Sequence, residues 1–307
     1  MKVLVIGGSG FVGAALSREL SGAGHEVVVS TRKKTTSRRK LTWNPPELIA
    51  PDVIATFDAV INLAGESIFT ERWTSDRKER IRSSRVDTTR ALVQSLEKIS
   101  PDPTLKNEGN KKPHVLISAS AIGYYGPHGD EDVNEGTLPG SDFLAAVCEE
   151  WEAAALRANE LGIRVVIARL GLVLGEGGGA LLKMLGPFKA FVGGYIGSGR
   201  QWMSWVHIDD ITRFIRYALE HESVSGPFNI TAPQPVRNRE FSSALGRALG
   251  RPSFFPVPAL AIKLALGESG DVLLTGQRVI SEKALKAGYT FKYTDVNEAL
   301  KAILKEK

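Results

Sequence analysis

Three glycines near the start of the chain, Gly7, Gly10 and Gly13, recur at intervals of three residues between an apolar segment and a helical pattern. Gly7 permits a tight turn, Gly10 lets a phosphate approach the backbone, and Gly13 allows close packing of helix on strand. The amides that open the helix, from Phe11 and Val12 onward, then face the phosphates. A plain turn is the alternative, but a second strand also follows at the correct spacing, so the motif predicts a dinucleotide-binding loop.

The end of the second apolar segment distinguishes the two nicotinamide dinucleotides. It reads Ser30-Thr31-Arg32-Lys33 and lacks the acid that would accept hydrogen bonds from an unphosphorylated ribose. Arg32 offers a planar fork for a 2′-phosphate, and Thr31 offers a hydroxyl donor. The alternative is that these cations are solvated loop charges. The pattern favours NADP(H).

Two further features point to the same site. The apolar segment 58–65 ends in small residues, so Leu63, Ala64 and Gly65 are predicted to form a wall of the cofactor site. In the next helical pattern, Arg85 shares the apolar face of Ile81. A charge in that position needs an anionic or polar partner. A ligand group is the preferred interpretation, and a buried carboxylate is the alternative.

The elements that must position these residues alternate regularly. Apolar segments, typical of strands buried on both faces, lie at 2–6, 27–30, 59–63, 115–118 and 164–169, with helical patterns between them. This alternation predicts an α/β fold with a doubly wound parallel Rossmann sheet. A polar segment at 100–112 is predicted to be a surface loop.

After about residue 170 the pattern becomes rich in glycine and proline. We therefore predict a Rossmann domain of residues 1–174 plus about 203–231. A smaller C-terminal substrate lobe would comprise about 175–202 and 232–307.

Composition narrows the class of protein. The chain has 307 residues, a net charge of +5 and one cysteine, Cys148, so an intramolecular disulfide framework is excluded. No apolar run approaches a membrane span, no basic stripe interleaved with aromatics suggests nucleic acid, and no metal site is predicted. Without a signal peptide the expected location is the cytoplasm, with an organelle as the alternative if a targeting peptide was removed.

Several motifs resemble those of the extended short-chain dehydrogenase/reductases. They include Asn62-Leu-Ala-Gly, Ser118-Ala-Ser-Ala-Ile-Gly-Tyr-Tyr-Gly, Trp205-Val-His-Ile-Asp-Asp and the stretches at 7–13, 140–145, 151–155, 169–175 and 197–202. The chain is most similar to the atypical "epimerase family" of NADP-dependent oxidoreductases, some of which are called cell-division inhibitor-like. The resemblance implies cofactor contacts from the glycine loop, Thr31, Arg32, Leu63, Ala64 and Arg85. It also implies a position for Val173 near the nicotinamide.

The catalytic pattern of that superfamily is incomplete here. Its usual members have a serine, a tyrosine and a lysine four residues later, and the lysine depresses the pKa of the tyrosine. Ser118 or Ser120 matches the serine; Ser120 is the preferred catalytic residue and Ser118 is assigned to cofactor binding. The helix that should carry the other two has Leu144 and Cys148 at those positions. Cys148 is interpreted as a core cysteine rather than a reactive thiol.

Tyr124, at the end of the serine strand, is the candidate replacement for the missing tyrosine. Without a neighbouring cation it would be a poor base but a usable proton donor, which suits reduction of a small carbonyl substrate. Glu66 is a second candidate acid. Two alternatives stay open: a nucleotide-sugar epimerase or dehydratase, and an NADPH-binding regulatory protein with little catalysis. The expected partner is a small molecule, and a homodimer is possible.

Overall fold

The computed structural model describes residues 1–99 and 112–305. The strands are β1 Lys2–Ile6, β2 Glu26–Thr31, β3 Lys40–Thr42, β4 Ala59–Asn62, β5 Val115–Ala121, β6 Asp132–Val133, β7 Arg164–Leu170, β8 Leu172–Leu174, β9 Trp202–Met203, β10 Trp205–His207, β11 Gly226–Ile230, β12 Val236–Arg237 and β13 Arg278–Val279. The helices are α1 Phe11–Gly22, α2 Pro51–Ile54, α3 Ser75–Ser83, α4 Val86–Glu97, α5 Phe143–Leu156, α6 Gly179–Lys189, α7 Ile208–Glu220, α8 Asn238–Leu249, α9 Ala259–Leu266, α10 Asp271–Leu274, α11 Glu282–Lys286 and α12 Val296–Lys305.

The central sheet has seven strands in the order β11-β7-β5-β4-β1-β2-β3, and all neighbouring pairs are parallel. This is the Rossmann order with one strand added beyond β7, so the predicted fold class is confirmed. The order reverses at β1, which places the loops after β1 and β4 on either side of a crevice. Ligands of such sheets bind at this point.

Both faces of the sheet are buried because helices cover them. One core joins the sheet to α1 and α7, and a second joins it to α2 and α4. Strand β1 contributes Val3 and Val5 to the first core and Leu4 to the second, and all three are fully buried. An uninterrupted apolar run is therefore the expected signature of such a strand.

A third core lies outside the central sheet. It joins α6, α8 and α12 through buried side chains such as Leu181, Phe241 and Leu300. These helices come from both predicted parts of the C-terminal lobe; the lobe boundaries stay a prediction. The predicted surface loop at 100–112 falls, except for Lys112, outside the described residues.

The described residues include neither a membrane-spanning helix nor a metal-binding cluster of side chains. None of the helices in 1–99 and 112–305 combines the length and the apolar character that crossing a bilayer requires. Within the same ranges, no group of His, Cys, Asp and Glu side chains is arranged to hold a metal ion.

Candidate functional site

A cleft of about 880 Å³ lies at the carboxyl edge of the sheet. Its walls come from the loops after β1, β2, β3 and β4 and from α3, α4 and the residues that join them. The lining residues include Gly7, Ser9, Gly10, Ser30, Thr31, Arg32, Lys33, Trp43, Pro45, Pro46, Leu63, Ala64, Gly65, Glu66, Arg80, Ser83, Ser84, Asp87 and Thr88. The cleft therefore brings together the glycine loop, the cationic segment and the small residues after β4.

The three glycines of the loop are required for different reasons. Gly7 has φ +75°, and a Cβ there would lie 2.6 Å from the carbonyl oxygen of Leu63. A Cβ on Gly13 would lie 2.3 Å from the carbonyl oxygen of Gly7. At Gly10 the nearest atom to such a Cβ is that same oxygen at 3.2 Å. Gly7 and Gly13 are thus needed for packing within the protein, whereas Gly10 keeps the cleft side of the loop free.

Helix α1 begins in this loop with Gly10 as its N-cap residue, and no side chain caps it. Its first amides are therefore available to an anion, which the helix dipole also favours. Val12 packs against the first core. The ring of Phe11 lies against the glycine-rich segment 175–179; a Cβ on Gly178 would lie 2.3 Å from it. Phe11 therefore fixes the position of the chain that leads into α6.

The cationic end of the cleft follows β2. Thr31, Arg32 and Lys33 line the cleft, and the Thr31 hydroxyl accepts a hydrogen bond from the Lys33 amide at 3.2 Å. Within the described part of the chain, neither Arg32 nor Lys33 forms an ion pair. Both cations are exposed and available to an anionic ligand.

Trp43, Pro45 and Pro46 form a wall of the cleft that sequence analysis missed. The Trp43 side chain is buried, and its indole N–H donates to the carbonyl of Glu47 at 2.7 Å. These residues follow β3, a strand of three residues that is too short to give a periodic signal. The one available hint was an aromatic residue close to a pair of prolines.

Arg85 lies behind the wall formed by Leu63, Ala64 and Gly65. Its guanidinium donates to the carbonyls of Ile81 and Glu66, both at 2.9 Å, and a Cβ on Gly65 would lie 3.1 Å from its Cζ. Burial lowers the pKa of Arg85. Among the described residues main-chain carbonyls, rather than a carboxylate, accept its hydrogen bonds. Its contact with a cofactor stays a prediction. Arg85 supports the wall from behind.

The segment after this wall is organised by Arg77, which sequence analysis missed. Its buried guanidinium donates to Glu66 Oε2 at 2.5 Å, to Thr70 Oγ1 at 2.8 Å and to the carbonyl of Ser67. Glu66, the second candidate acid, is thereby engaged in an ion pair. Glu66 lines the cleft, and its carboxylate holds the loop through this ion pair.

A buried polar cluster lies beside the end of β5. Arg169 on β7 forms two hydrogen bonds with the Glu152 carboxylate on α5, at 2.8 and 2.7 Å. It also donates to the Tyr125 hydroxyl at 2.9 Å, and that hydroxyl donates to Asn229 Oδ1 at 2.6 Å. Burial alone lowers the pKa of Arg169, but the hydrogen bonds and charge of Glu152 outweigh it, so the net shift is upward. Burial raises the pKa of Tyr125 to about 12.

The two predicted serines of β5 both have protein partners. Ser120 donates to Glu152 Oε1 at 2.6 Å and is buried. Ser118, fully buried, donates to the carbonyl of Ala119 at 3.2 Å. The expected polarising hydroxyl is therefore engaged with Glu152, and the roles of both serines stay predictions.

Tyr124 is half-buried directly after β5. The Arg169 guanidinium lies over its ring, with Cζ 3.6 Å from the ring centroid. The expectation that no cation neighbours Tyr124 is thus wrong. The cation contacts the face of the ring, and the Tyr124 hydroxyl has no hydrogen-bond partner among the described residues. This phenol is positioned yet free to bind.

The two relay positions on α5 carry Leu144 and Cys148, so neither supplies an ammonium group. Leu144 lies near Gly123: a Cβ added to Gly123 would be 3.5 Å from the Cβ of Leu144. Cys148 is buried, and burial raises the pKa of its thiol to about 12, so the core-cysteine interpretation is confirmed. Val173 on β8 packs against the first core and pairs with Val206.

Comparison with known proteins identifies the family. A model described as "NAD dependent epimerase/dehydratase family" matches residues 3–231. The chain belongs to this family. A second model, a "domain of unknown function", matches residues 257–303 of this epimerase-family chain.

Relatives match the epimerase-family chain over almost its whole length. An Arabidopsis thaliana "epimerase family protein SDR39U1 homolog, chloroplastic" is 41% identical over 99% of this chain and 87% of its own. The Bacillus subtilis epimerase family protein YfhF is 37% identical over 100% of this chain and 99% of its own.

Solved structures show the same family likeness and the same fold. The human epimerase family protein SDR39U1 with NADPH has a TM-score of 0.89 and 35% identity, and the match covers 100% of both chains. UDP-glucuronic acid 4-epimerase from Bacillus cereus with NAD has a TM-score of 0.77 at 18% identity and shares the fold.

Proposed function

We propose that the chain is an NADPH-dependent reductase of a carbonyl substrate, with Tyr124 as the proton donor. The observation that carries the proposal is the Tyr124 phenol. It is stacked on a buried guanidinium 3.6 Å away, and its hydroxyl is unpartnered among the described residues.

The cleft suits the cofactor. The amides at the start of α1 would hold the pyrophosphate beside Gly10, and Leu63 and Ala64 would border the cofactor. Arg32 and Lys33, both without ion-pair partners in the described chain, would hold the 2′-phosphate. The human relative crystallised with NADPH supports this choice.

The reaction would use few protein groups. A bound NADPH supplies the hydride, which adds to the carbonyl carbon. As the carbonyl π bond breaks, its oxygen takes the proton of the Tyr124 hydroxyl, and the phenolate regains a proton from solvent. This direction needs a proton donor, whereas epimerases and dehydratases of this fold need a base. Leu144 and Cys148 supply no lysine to sustain one.

A second candidate function is an NADPH-binding regulatory protein of the cell-division inhibitor-like group. The observation that favours it is the engagement of Ser120 by Glu152. Persistent inactivity on carbonyl compounds, combined with tight NADPH binding, would select this candidate.

The cofactor proposal is tested by calorimetric titration of Arg32→Gln with NADPH and NADH. A charge-assisted hydrogen bond contributes about 1.5–3 kcal/mol, so the dissociation constant for NADPH should rise about 10- to 100-fold. Binding of NADH should be unchanged. Arg38→Gln, which removes an exposed cation from the same segment, should alter neither affinity. Equal losses for both dinucleotides would contradict the assignment.

The proton-donor proposal is tested with 4-deuterated NADPH and a panel of ketones and aldehydes. Transfer of deuterium to the carbinol carbon, detected by mass spectrometry, would establish reduction. Tyr124→Phe should lower turnover by about a hundredfold or more with NADPH affinity retained. Tyr217→Phe removes a phenol oxygen from α7, where the ring packs against the first core, and should leave turnover unchanged. Unchanged turnover in Tyr124→Phe would refute the role.

A further inference from the structure

The candidate proton donor lies in a short turn that needs support from outside. Tyr124 belongs to a single turn of 3₁₀ helix, Ile122–Tyr125, that follows β5 directly. The turn contains Gly123 and is followed by Gly126, whose φ is +67°. A short 3₁₀ turn has few internal hydrogen bonds, and glycine adds conformational freedom, so its shape depends on contacts with other parts of the chain. The amide of Gly140 provides one of these, since it donates to the carbonyl of Tyr124 at 2.9 Å.

Another contact comes from a segment 155 residues further along the chain. The side-chain amide of Gln277 donates through Nε2 to the carbonyl of Ile122, the first residue of the turn, at 2.8 Å. Two residues after Gln277, the fully buried Val279 belongs to a small apolar cluster against which Ile122 and Tyr124 pack. The segment 277–279 therefore supports the turn both by a hydrogen bond and by apolar packing.

The backbone of segment 277–279 is itself held in place. Ser204 Oγ donates to the carbonyl of Gln277 at 2.8 Å and accepts from the amide of Val279 at 2.9 Å. Directly after β11, Thr231 Oγ1 donates to the carbonyl of Val279 at 3.1 Å. Both hydroxyl side chains belong to buried residues. The Gln277 side chain thus extends from a fixed backbone, and the position of its amide is well defined.

We propose that Gln277 is a positioning residue for Tyr124, and that the segment 257–303, which matches the domain of unknown function, thereby completes the reductase site. This rests on the proposed function, because it assigns a role in the same proton transfer. By holding the first carbonyl of the turn, the amide keeps the Tyr124 hydroxyl where a substrate oxygen can accept its proton. A displacement of about 1 Å in such a group can lower a rate about a hundredfold.

Two substitutions of Gln277 test the hydrogen bond. Gln277→Ala removes the donor, so turnover should fall about 10- to 100-fold with the dissociation constant for NADPH unchanged. Gln277→Glu keeps the shape of the side chain, but a carboxylate cannot donate until it is protonated. Half-burial beside a carbonyl raises the pKa of such a carboxyl above its ordinary value of about 4.3. Relative to wild type at each pH, Gln277→Glu should be impaired near pH 8 and recover towards pH 5, whereas Gln277→Ala should stay low throughout.

Gln201→Ala is the matched control. The Gln201 amide also joins two main-chain carbonyls, those of Ile196 and Leu273, at 3.1 and 2.9 Å, so its donor nitrogen is used outside the turn. This variant should keep the turnover of the wild type. An equal loss in Gln201→Ala would assign the effect to the general stability of the C-terminal segment and overturn the proposal. Parallel pH profiles for the two Gln277 variants would also overturn it.

A measurement without turnover separates this proposal from the proposed function. Replacement of Tyr124 by 3-fluorotyrosine gives a ¹⁹F NMR signal that reports the surroundings of the ring beneath Arg169. Gln277→Ala should shift or broaden that signal, and Gln201→Ala should not. Such a change in a protein that reduces no carbonyl compound would refute the reductase and leave Gln277 as the group that positions Tyr124. Wild-type turnover and an unaltered signal in Gln277→Ala would do the reverse.

Discussion

The buried pair of Glu152 and Arg169 gives a quantitative test of how the site is held together. Both side chains are under 10% exposed, and Arg169→Met would leave the carboxylate with Ser120 as its one remaining donor among the contacts described. An uncompensated buried charge costs about 3–5 kcal/mol, a large fraction of the roughly 5–15 kcal/mol that stabilises a domain. The double variant Glu152→Met with Arg169→Met removes both charges, so its free energy of unfolding should be far closer to that of the wild type.

Urea unfolding at neutral pH, followed by tryptophan fluorescence and circular dichroism, measures these differences. The matched control is Arg157→Met, since Arg157 pairs with Glu97 at 3.4 Å on the exposed surface. That change should cost less than about 1 kcal/mol. If Arg169→Met cost no more than the control, or if the double variant were as unstable as the single one, the description of this pair as a desolvated ion pair would be refuted.

Three further substitutions test the glycine loop and the start of α7. Gly13→Ala should destabilise the fold by about 1–3 kcal/mol, because its Cβ meets the Gly7 carbonyl. Gly10→Ala should change the melting temperature little but weaken NADPH binding. A larger loss of stability in Gly10→Ala than in Gly13→Ala would contradict the loop geometry. Burial lowers the pKa of His207 from 6.5 to about 4. As the pH falls from 6.5 to about 4, the unfolded chain therefore takes up the proton first, and the free energy of unfolding should fall by at most about 3 kcal/mol. His207→Asn, which keeps an acceptor for the Asp209 amide, should reduce this slope in urea titrations, and an unchanged slope would assign it to other groups.

The parts of the site that could be predicted from the sequence depend on local geometry. Gly7 and Gly13 are required by the close approach of β1, β4 and α1, and that approach follows from a strand–loop–helix unit of fixed length. Thr31 and Arg32 are located by counting to the end of β2. In each case a few consecutive residues carry the information, so no knowledge of the distant chain was needed.

The parts that were missed depend on contacts between distant segments. Arg77 reads as one charge among several on a polar helix, yet it is buried under the segment it organises. Arg85 was predicted to lie on the apolar face of its helix, but its carbonyl partners could not be known without the path of the chain after β4. For the same reason, the contact between Arg169 on β7 and Tyr124 after β5 could not be predicted, because it joins residues 45 positions apart and has no signature in either segment.

The position of the charge in the cluster bears on the direction of the proposed reaction. In the usual relay a lysine on the helix supports a phenolate, but here α5 contributes Leu144, Cys148 and then a carboxylate, Glu152. The cation lies on β7 instead, with its donors engaged by Glu152 and Tyr125. Because this charge is neutralised and faces the ring of Tyr124, it gives little support to a phenolate base. Removal of a proton from an alcohol is therefore poorly served, whereas donation of a proton to a carbonyl oxygen needs only the positioned hydroxyl that the stack provides.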